Sequence, residues 1–118
     1  ELGELWLEEL DGFISGFMAI NSSLSKEYND VEWMTELPAN GIHRLAVNPA
    51  FRGKGVAKRL FTFAEELSRL QGMKSIRLDT FSLNKAAQRL FVNNGYTFVG
   101  NIFMKGRTIP YLCFEKSL

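Results

Sequence analysis

The stretch Val47-Asn48-Pro49-Ala50-Phe51-Arg52-Gly53-Lys54-Gly55-Val56-Ala57-Lys58-Arg59-Leu60 holds the residues best arranged for chemistry. An apolar strand pattern stops at Asn48-Pro49, a turn with two glycines follows, and a helical pattern begins at once. Such a turn leaves backbone N–H groups unpaired at the positive end of a helix dipole. Gly53 and Gly55 lack the side chains that would hold a phosphate away from that backbone. Arg52, Lys54 and Lys58 add positive charge beside it. Each dipole or charge interaction is worth about 0.3–1 kcal/mol, so a phosphate is held by several acting together. Two familiar phosphate loops do not fit. A dinucleotide fingerprint needs a glycine where Lys58 stands. A P-loop needs four residues between its glycines and a Lys-Ser/Thr pair after them. A solvated basic helix start is the plain alternative.

The elements around this turn follow from hydrophobic period. Leu5 to Leu10 and Phe13 to Ile20 flank Asp11-Gly12 and read as two strands of a hairpin with a primed turn. Residues 21–41 are polar and irregular, with one helical turn expected at Asp30-Val31-Glu32-Trp33-Met34, capped by Asp30. Ile42 to Val47 reads as a buried strand. Val56, Leu60, Phe63, Ala64, Leu67 and Leu70 recur along one face of a helix that Gly72 should end. Phe61 and Phe63 read as core. Ser75 to Phe81 alternates as a strand, and a second helix runs from about Asn84 to Asn94. Tyr96 to Met104 and Ile109 to Phe114 read as a last pair of strands joined at Lys105-Gly106-Arg107. A helical crossover between strands 42–47 and 75–81 implies parallel pairing there, whereas the hairpins imply antiparallel pairing elsewhere. The fold class is therefore α/β with a mixed sheet, in a single domain over 1–118.

Composition narrows the function. The 118 residues are 46% hydrophobic and 23% charged, ordinary globular usage. Ten Phe, three Tyr and two Trp can fill a core, and a chain this long buries roughly 65% of its unfolded surface. The net charge of +1 supplies no overall field to recruit nucleic acid or a membrane, and the basic run 52–59 lacks interleaved aromatics. Cys113 is the only thiol and His43 the only imidazole, which excludes an internal disulfide and the usual zinc ligand sets. We expect no metal, and a cytoplasmic location. The N-terminus, Glu1-Leu2-Gly3-Glu4, has neither a basic region nor a cleavage site. It also lacks Met and enters a strand pattern almost at once, so we expect further chain upstream.

Arg52-x-x-Gly55-x-Ala57 matches the Arg/Gln-x-x-Gly-x-Gly/Ala pyrophosphate loop of the GNAT superfamily, and Asn84-x-x-Ala87-x-x-Leu90-Phe91-x-x-x-Gly95-Tyr96 is similar to its later Asn…Ala…Leu-Tyr…Gly-Phe signature. In order and on matching elements, the two make the chain resemble these acetyl-CoA-dependent N-acetyltransferases. The resemblance covers residues 1–118 as the family's second strand through its last, without the usual first strand and the two helices after it. It implies a splayed sheet whose V-shaped slot takes the cofactor. It further implies that Arg52, Gly53, Lys54, Gly55, Val56, Ala57 and Lys58 hold the pyrophosphate of coenzyme A. By the same resemblance Leu45, Ala46 and Val47 pair with its pantetheine arm, the Val47 amide faces the thioester oxygen, Asn84 contacts the arm, and Phe91 packs near the sulfur. The reaction implied is direct transfer of an acetyl group to a primary amine in a ternary complex.

The sequence departs from the family where its Tyr, which protonates the departing thiolate, is replaced by Phe91. Tyr111 on the last strand is the expected substitute, or else an aromatic packed half in the core. A general base near neutral pKa is needed to deprotonate an ammonium. His43 lies two residues before Leu45, at a position often acidic in relatives, and is the first candidate. Glu32, Glu36 and Asp79 are rivals, Asp79 being expected to brace the strand end near Asn84. Tyr28, Trp33 and Met34 either line an acceptor pocket or pin the long loop to the sheet. Cys113 reads as a small hydrophobe in a strand. A non-catalytic acyl-CoA-binding or sensory module is the alternative function, and self-association as a homodimer is left open.

Overall fold

The computed structural model describes residues 4–118. Six strands form one sheet in the order β1-β2-β3-β4-β6-β5: β1 Glu4–Leu10, β2 Phe13–Asn21, β3 Ala39–Val47, β4 Ser75–Phe81, β5 Thr97–Ile102 and β6 Tyr111–Ser117. Helix α1 spans Val56–Leu70 and α2 spans Lys85–Asn93. All strand pairs are antiparallel except β3 with β4. The expected hairpin turn is present, with positive φ at both Asp11 and Gly12, the geometry that matches strand twist.

The β3–β4 pairing positions everything else. It runs only through Ala39↔Ser75, Asn40↔Ile76 and Gly41↔Arg77, and beyond Gly41 the two strands part. The sheet is thus mixed and splayed, as expected. The paired segment, however, lies in 39–41, which reads as irregular because Asn and Gly are poor strand formers. Asn40 is buried there with its amide donating to Ser68 (2.9 Å) and Gln71 (2.8 Å) of the α1 end. Tertiary hydrogen bonds override its propensity.

The main core lies between the sheet and the two helices. Met18, Ile20, Ile42, Ile76, Leu78 and Phe114 from the strands meet Val56, Leu60, Phe61, Ala64 and Phe91 from the helices. The buried face of α1 is rotated from the expected one. Phe61, Glu65 and Ser68 face inward, whereas Leu70 is 87% exposed and Phe63 packs edge-on against Trp6 at the periphery. Glu65 is buried because it accepts from Tyr96 (3.2 Å) and pairs with Lys116 (3.1 Å), which no apolar period reveals. Gly16 lets α1 approach β2: a Cβ there would stand 2.7 Å from Val56 Cγ1 and 2.9 Å from the Ala46 carbonyl.

The opposite face carries a smaller cluster of Tyr28, Ile102 and Cys113 with Leu24, Val31, Trp33 and Tyr111 around it. The single turn in the long loop is a 3-10 turn at Lys26–Asp30, capped by Ser25 and not by Asp30. Asp30 closes the turn because Tyr28, not Trp33, is the residue buried beneath it. Trp33 donates to the Tyr28 carbonyl (2.8 Å), lies under the Arg77 guanidinium, and is followed by Met34, whose amide donates to Glu115 (2.6 Å). These contacts pin the loop to the sheet.

Candidate active site

Two bulges shape the site. In β3, Arg44 pairs with Ala19 and Ile42 with Ile20, so His43 is an extra residue without a partner. A bulge re-aims a side chain and bends its strand, here where β3 leaves β4. In β2, Gly16 pairs with Glu8 and Ile14 with Glu9, which leaves Ser15 extra in the same way. The Ser15 carbonyl accepts from the Asn48 amide (2.8 Å), and the Asn48 side chain donates to the Ile14 carbonyl (3.0 Å). The chain leaving β3 is therefore tied to the hairpin before it enters the glycine turn.

That turn has the backbone geometry of an anion site. Gly53 (φ +79°) and Gly55 (φ +78°) both take the left-handed conformation that glycine permits. Gly55 is the N-cap of α1 and has no side chain to cap it. The first helical hydrogen bond runs from the Arg59 amide to the Gly55 carbonyl (3.1 Å), so the amides of Val56, Ala57 and Lys58 have no helical partner. They open on a cleft of about 690 Å³ lined by Leu45, Val47, Arg52, Gly53, Gly55, Lys58, Asn84, Ala87 and Leu90, among others. Lys54 does not line it, since its carbonyl is held by Arg59 on the other side (2.8 Å).

The cleft adjoins the gap between the parted strands. A smaller cavity of about 170 Å³ shares Leu45, Asn84, Ala87 and Leu90 with it and adds His43, Arg44, Leu78, Asp79, Thr80 and Phe91. Asn48 donates its amide to Ser15, and backbone groups of a strand alternate in direction. Those of Ala46 therefore face Phe17 in β2, and those of Leu45 and Val47 face the gap. The expected pairing of Ala46 with the cofactor arm is thereby corrected: its polar groups are used inside the sheet. Asn84 caps α2 by accepting from the Ala87 amide (3.1 Å), which leaves its NH₂ as a free donor at the cleft. Phe91 is 7% exposed and packs edge-on against Phe61 and Phe114, with its remaining surface in the gap.

His43 and Asp79 both line the smaller cavity, each with its own polar partner. His43 Nε2 lies 2.7 Å from Asn21 Oδ1, which already accepts from the Ser23 amide. Nε2 therefore donates, and Nδ1 is the basic nitrogen. Burial holds the imidazole below its ordinary pKa of 6.5, and the Asp79 carboxylate opposes this in part. Asp79 is itself pushed above the usual carboxylate range by burial, against the hydrogen bond from Tyr28 (2.6 Å) and the charge of His43. Asp79, expected to brace the strand end near Asn84, accepts instead from Tyr28. Burial next to Asp79 drives the Tyr28 hydroxyl well above its ordinary pKa, so it stays protonated. Tyr111 lines neither the cleft nor the gap. It faces the side occupied by Cys113 and Tyr28, with its ring 5.4 Å from that of Phe81. Burial pushes the Cys113 thiol up to about 12, so it is no nucleophile at neutral pH. Among the described residues no group of His, Cys, Asp and Glu is placed to hold a metal, and no helix is long and apolar enough to cross a membrane. The Tyr28–Asp79 contact had no signal in the sequence, because the two residues are 51 apart and meet only across the sheet.

Known proteins share both the sequence pattern and the geometry. The model of the acetyltransferase (GNAT) family matches residues 2–96. The N-acetylaspartate synthetase of Rattus norvegicus is 30% identical over 95 residues, 80% of this chain and 28% of that protein. An acetyltransferase of Agrobacterium fabrum is 33% identical over 73 residues, 60% of this chain and 52% of its own length. The chain thus spans under a third of the synthetase it matches. Among solved structures, a GNAT-family acetyltransferase from Listeria monocytogenes is 29% identical with a TM-score of 0.73, over 98% of this chain and 64% of that one. A structure from Bacillus anthracis in complex with acetyl coenzyme A superposes with a TM-score of 0.79 at 20% identity, over 100% of this chain and 64% of its own. The family match spans the glycine turn and the parted strands alike, and the chain belongs to the GNAT acetyltransferase family.

Proposed function

We propose that the chain transfers an acetyl group from acetyl-CoA to a primary amine by direct attack in a ternary complex. The observation that carries this reading is the pair of adjoining cavities, one at the orphan amides of Val56, Ala57 and Lys58 and the other at the imidazole of His43, which share Leu45, Asn84, Ala87 and Leu90. Acetyl-CoA supplies the activated acyl group. The residues fit it: the uncapped helix start and Gly53 and Gly55 take the pyrophosphate, with Arg52 and Lys58 beside it. The gap-facing backbones of Leu45 and Val47 pair with the pantetheine arm as an added strand would. The Val47 amide is then a preorganised donor for the oxygen that gains charge as the amine attacks, a device worth about 10²–10³ in rate.

His43 Nδ1 removes the ammonium proton. Its lowered pKa keeps it neutral at physiological pH, which is the form a base must take. The free amine attacks the acetyl carbonyl, the tetrahedral adduct gives its second proton to water as it collapses, and the sulfur departs as thiolate. Phe91 has no hydroxyl and Tyr111 lies outside the gap, so the thiolate is protonated by water. With a reference thiol pKa of about 8.5, the thiolate is an adequate leaving group. Asp79 is a second candidate base, because it lines the same cavity and burial holds its carboxyl above the usual carboxylate range.

The test is release of free thiol from acetyl-CoA in the presence of a panel of primary amines. Amine-dependent release supports the reading. Coenzyme A binding without turnover against any amine favours a binding-only, sensory module.

A further inference from the structure

Unlike Arg52 and Lys58, Arg59 does not line the cleft. It leaves the first turn of α1 and reaches back to β1, where Nε donates to Glu8 Oε2 (2.6 Å) and a terminal nitrogen to Glu8 Oε1 (3.1 Å). The other terminal nitrogen donates to the Lys54 carbonyl (2.8 Å). Glu8 is in turn fixed by the Ser15 hydroxyl (2.6 Å), which the β2 bulge turns toward it and which is fully buried. The bond from Arg59 holds the Glu8 carboxyl below its usual range, so the pair is ionised at neutral pH. A Cβ on Gly55 would stand 3.0 Å from the guanidinium, so the guanidinium packs against the bare face of the turn.

We infer that Arg59 and Glu8 are a positioning pair for the coenzyme A site, an inference that rests on the cofactor reading above. Across a trans peptide the C=O and the next N–H point in opposite directions. Holding the Lys54 carbonyl on the β1 side therefore aims the Gly55 amide toward the cleft, which Gly55 lines and Lys54 does not. A free glycine turn would sample many orientations of that peptide. The clamp removes them before the pyrophosphate arrives, and only a guanidinium has the rigid fork to hold a carboxylate and a carbonyl at once. The pair thus converts a flexible turn into a preformed cradle.

The test compares R59K, R59M and E8A by titration calorimetry with coenzyme A, and by kcat/KM for acetyl-CoA relative to S-acetylpantetheine, which lacks the pyrophosphate. Circular dichroism confirms folding of each variant. The clamp predicts that all three weaken coenzyme A binding roughly tenfold, the loss expected when one well-aimed donor is misdirected. It also predicts that each lowers the preference for acetyl-CoA over the truncated donor. A simple counter-charge gives the opposite pattern. R59K then binds like wild type, and E8A, which unmasks a positive charge beside the site, binds more tightly. Either result overturns the inference, as does equal loss of activity with both donors. Wild-type protein that does not bind coenzyme A would refute the cofactor reading itself, a separate outcome from any difference among the variants.

Discussion

Gly55→Asp adds a carboxylate to the turn proposed to hold the pyrophosphate, on the side that faces the Arg59 guanidinium. Gly55 sits at φ +78°, and a Cβ added there meets only a terminal guanidinium nitrogen of Arg59, at 3.0 Å. The left-handed backbone costs a non-glycine residue about 1–2 kcal/mol, and less for Asp, whose short side chain bonds locally. The close contact is with the far end of a flexible side chain, which swings aside. A domain with a stability of about 5–15 kcal/mol survives that loss. The effect on the ligand is larger. Like charges repel by about 3–4 kcal/mol when they approach to about 4–5 Å at the effective dielectric of about 20 found near a protein surface, which sets the upper end of the effect. At 1.4 kcal/mol per decade this is a loss of about 10²–10³ in affinity. Gly55→Ala carries the strain without the charge and serves as the control. Calorimetric titration with coenzyme A gives the affinities, and thermal melting of the unliganded proteins gives the stabilities. We expect both variants to melt within about 10 °C of wild type, as a loss of 1–2 kcal/mol implies for a chain of this size. The aspartate variant should lose far more affinity than the alanine variant. A folded Gly55→Asp protein that binds coenzyme A as wild type does would refute the anion-site assignment.

Other substitutions probe the rest of the site. The pH profile of kcat/KM should rise with an apparent pKa below the ordinary imidazole value of 6.5, because burial disfavours the protonated His43. Activity then falls as pH drops through that lowered value, with Asp79 and Arg44 the charged groups lining the same cavity. His43→Ala should cost about 10²–10⁴ in rate at neutral pH while coenzyme A affinity holds, and His43→Gln separates chemistry from packing. If both variants keep near-normal rates, Asp79 becomes the leading base. Phe91→Tyr restores the family hydroxyl at the gap and should raise kcat modestly in a stopped assay of thiol release, with the KM for acetyl-CoA held. A collapse in cofactor affinity would mean that Phe91 does not border the sulfur. Gly16→Ala forces a Cβ within 2.7 Å of Val56 and 2.9 Å of the Ala46 carbonyl, and the backbone oxygen cannot yield. We expect a loss of about 1–3 kcal/mol by thermal or denaturant unfolding, together with weaker coenzyme A binding as the start of α1 is displaced.

Much of this protein can be read from local chemistry. The Asp11-Gly12 turn, the helix start after Gly55 and the helix end at Gly72 each depend on backbone preferences of a few adjacent residues, and each appears where expected. The proposed anion site is legible for the same reason: amides, glycines and a helix dipole lie within seven consecutive residues, so no distant part of the chain has to be located. The family motifs extend this to Asn84 and Phe91 because both lie on one short helix whose start Asn84 itself caps. Side-chain burial on α1 was less legible. A period counted over apolar residues places Leu70 inward, yet Glu65 and Ser68 take the buried face because Tyr96, Lys116 and Asn40 satisfy them.

Three features were decided by tertiary structure alone. The strand breaks away from its neighbour after Gly41, and the pairing that precedes the break uses Asn40, whose partners are 28 and 31 residues away. The bulges at Ser15 and His43 are mismatches between two strands, and neither strand carries a mark of them by itself. They turn Ser15 toward Glu8, and set His43 at the mouth of the gap. Finally, Tyr28–Asp79 and Arg59–Glu8 each join residues 51 apart, across the sheet in one case and from helix to edge strand in the other. Sequence by itself determines what a short segment can do, because backbone preferences and orphan amides act over one turn. Which side chains meet at the gap depends on where the strands part, and that balance is struck by the packed sheet as a whole.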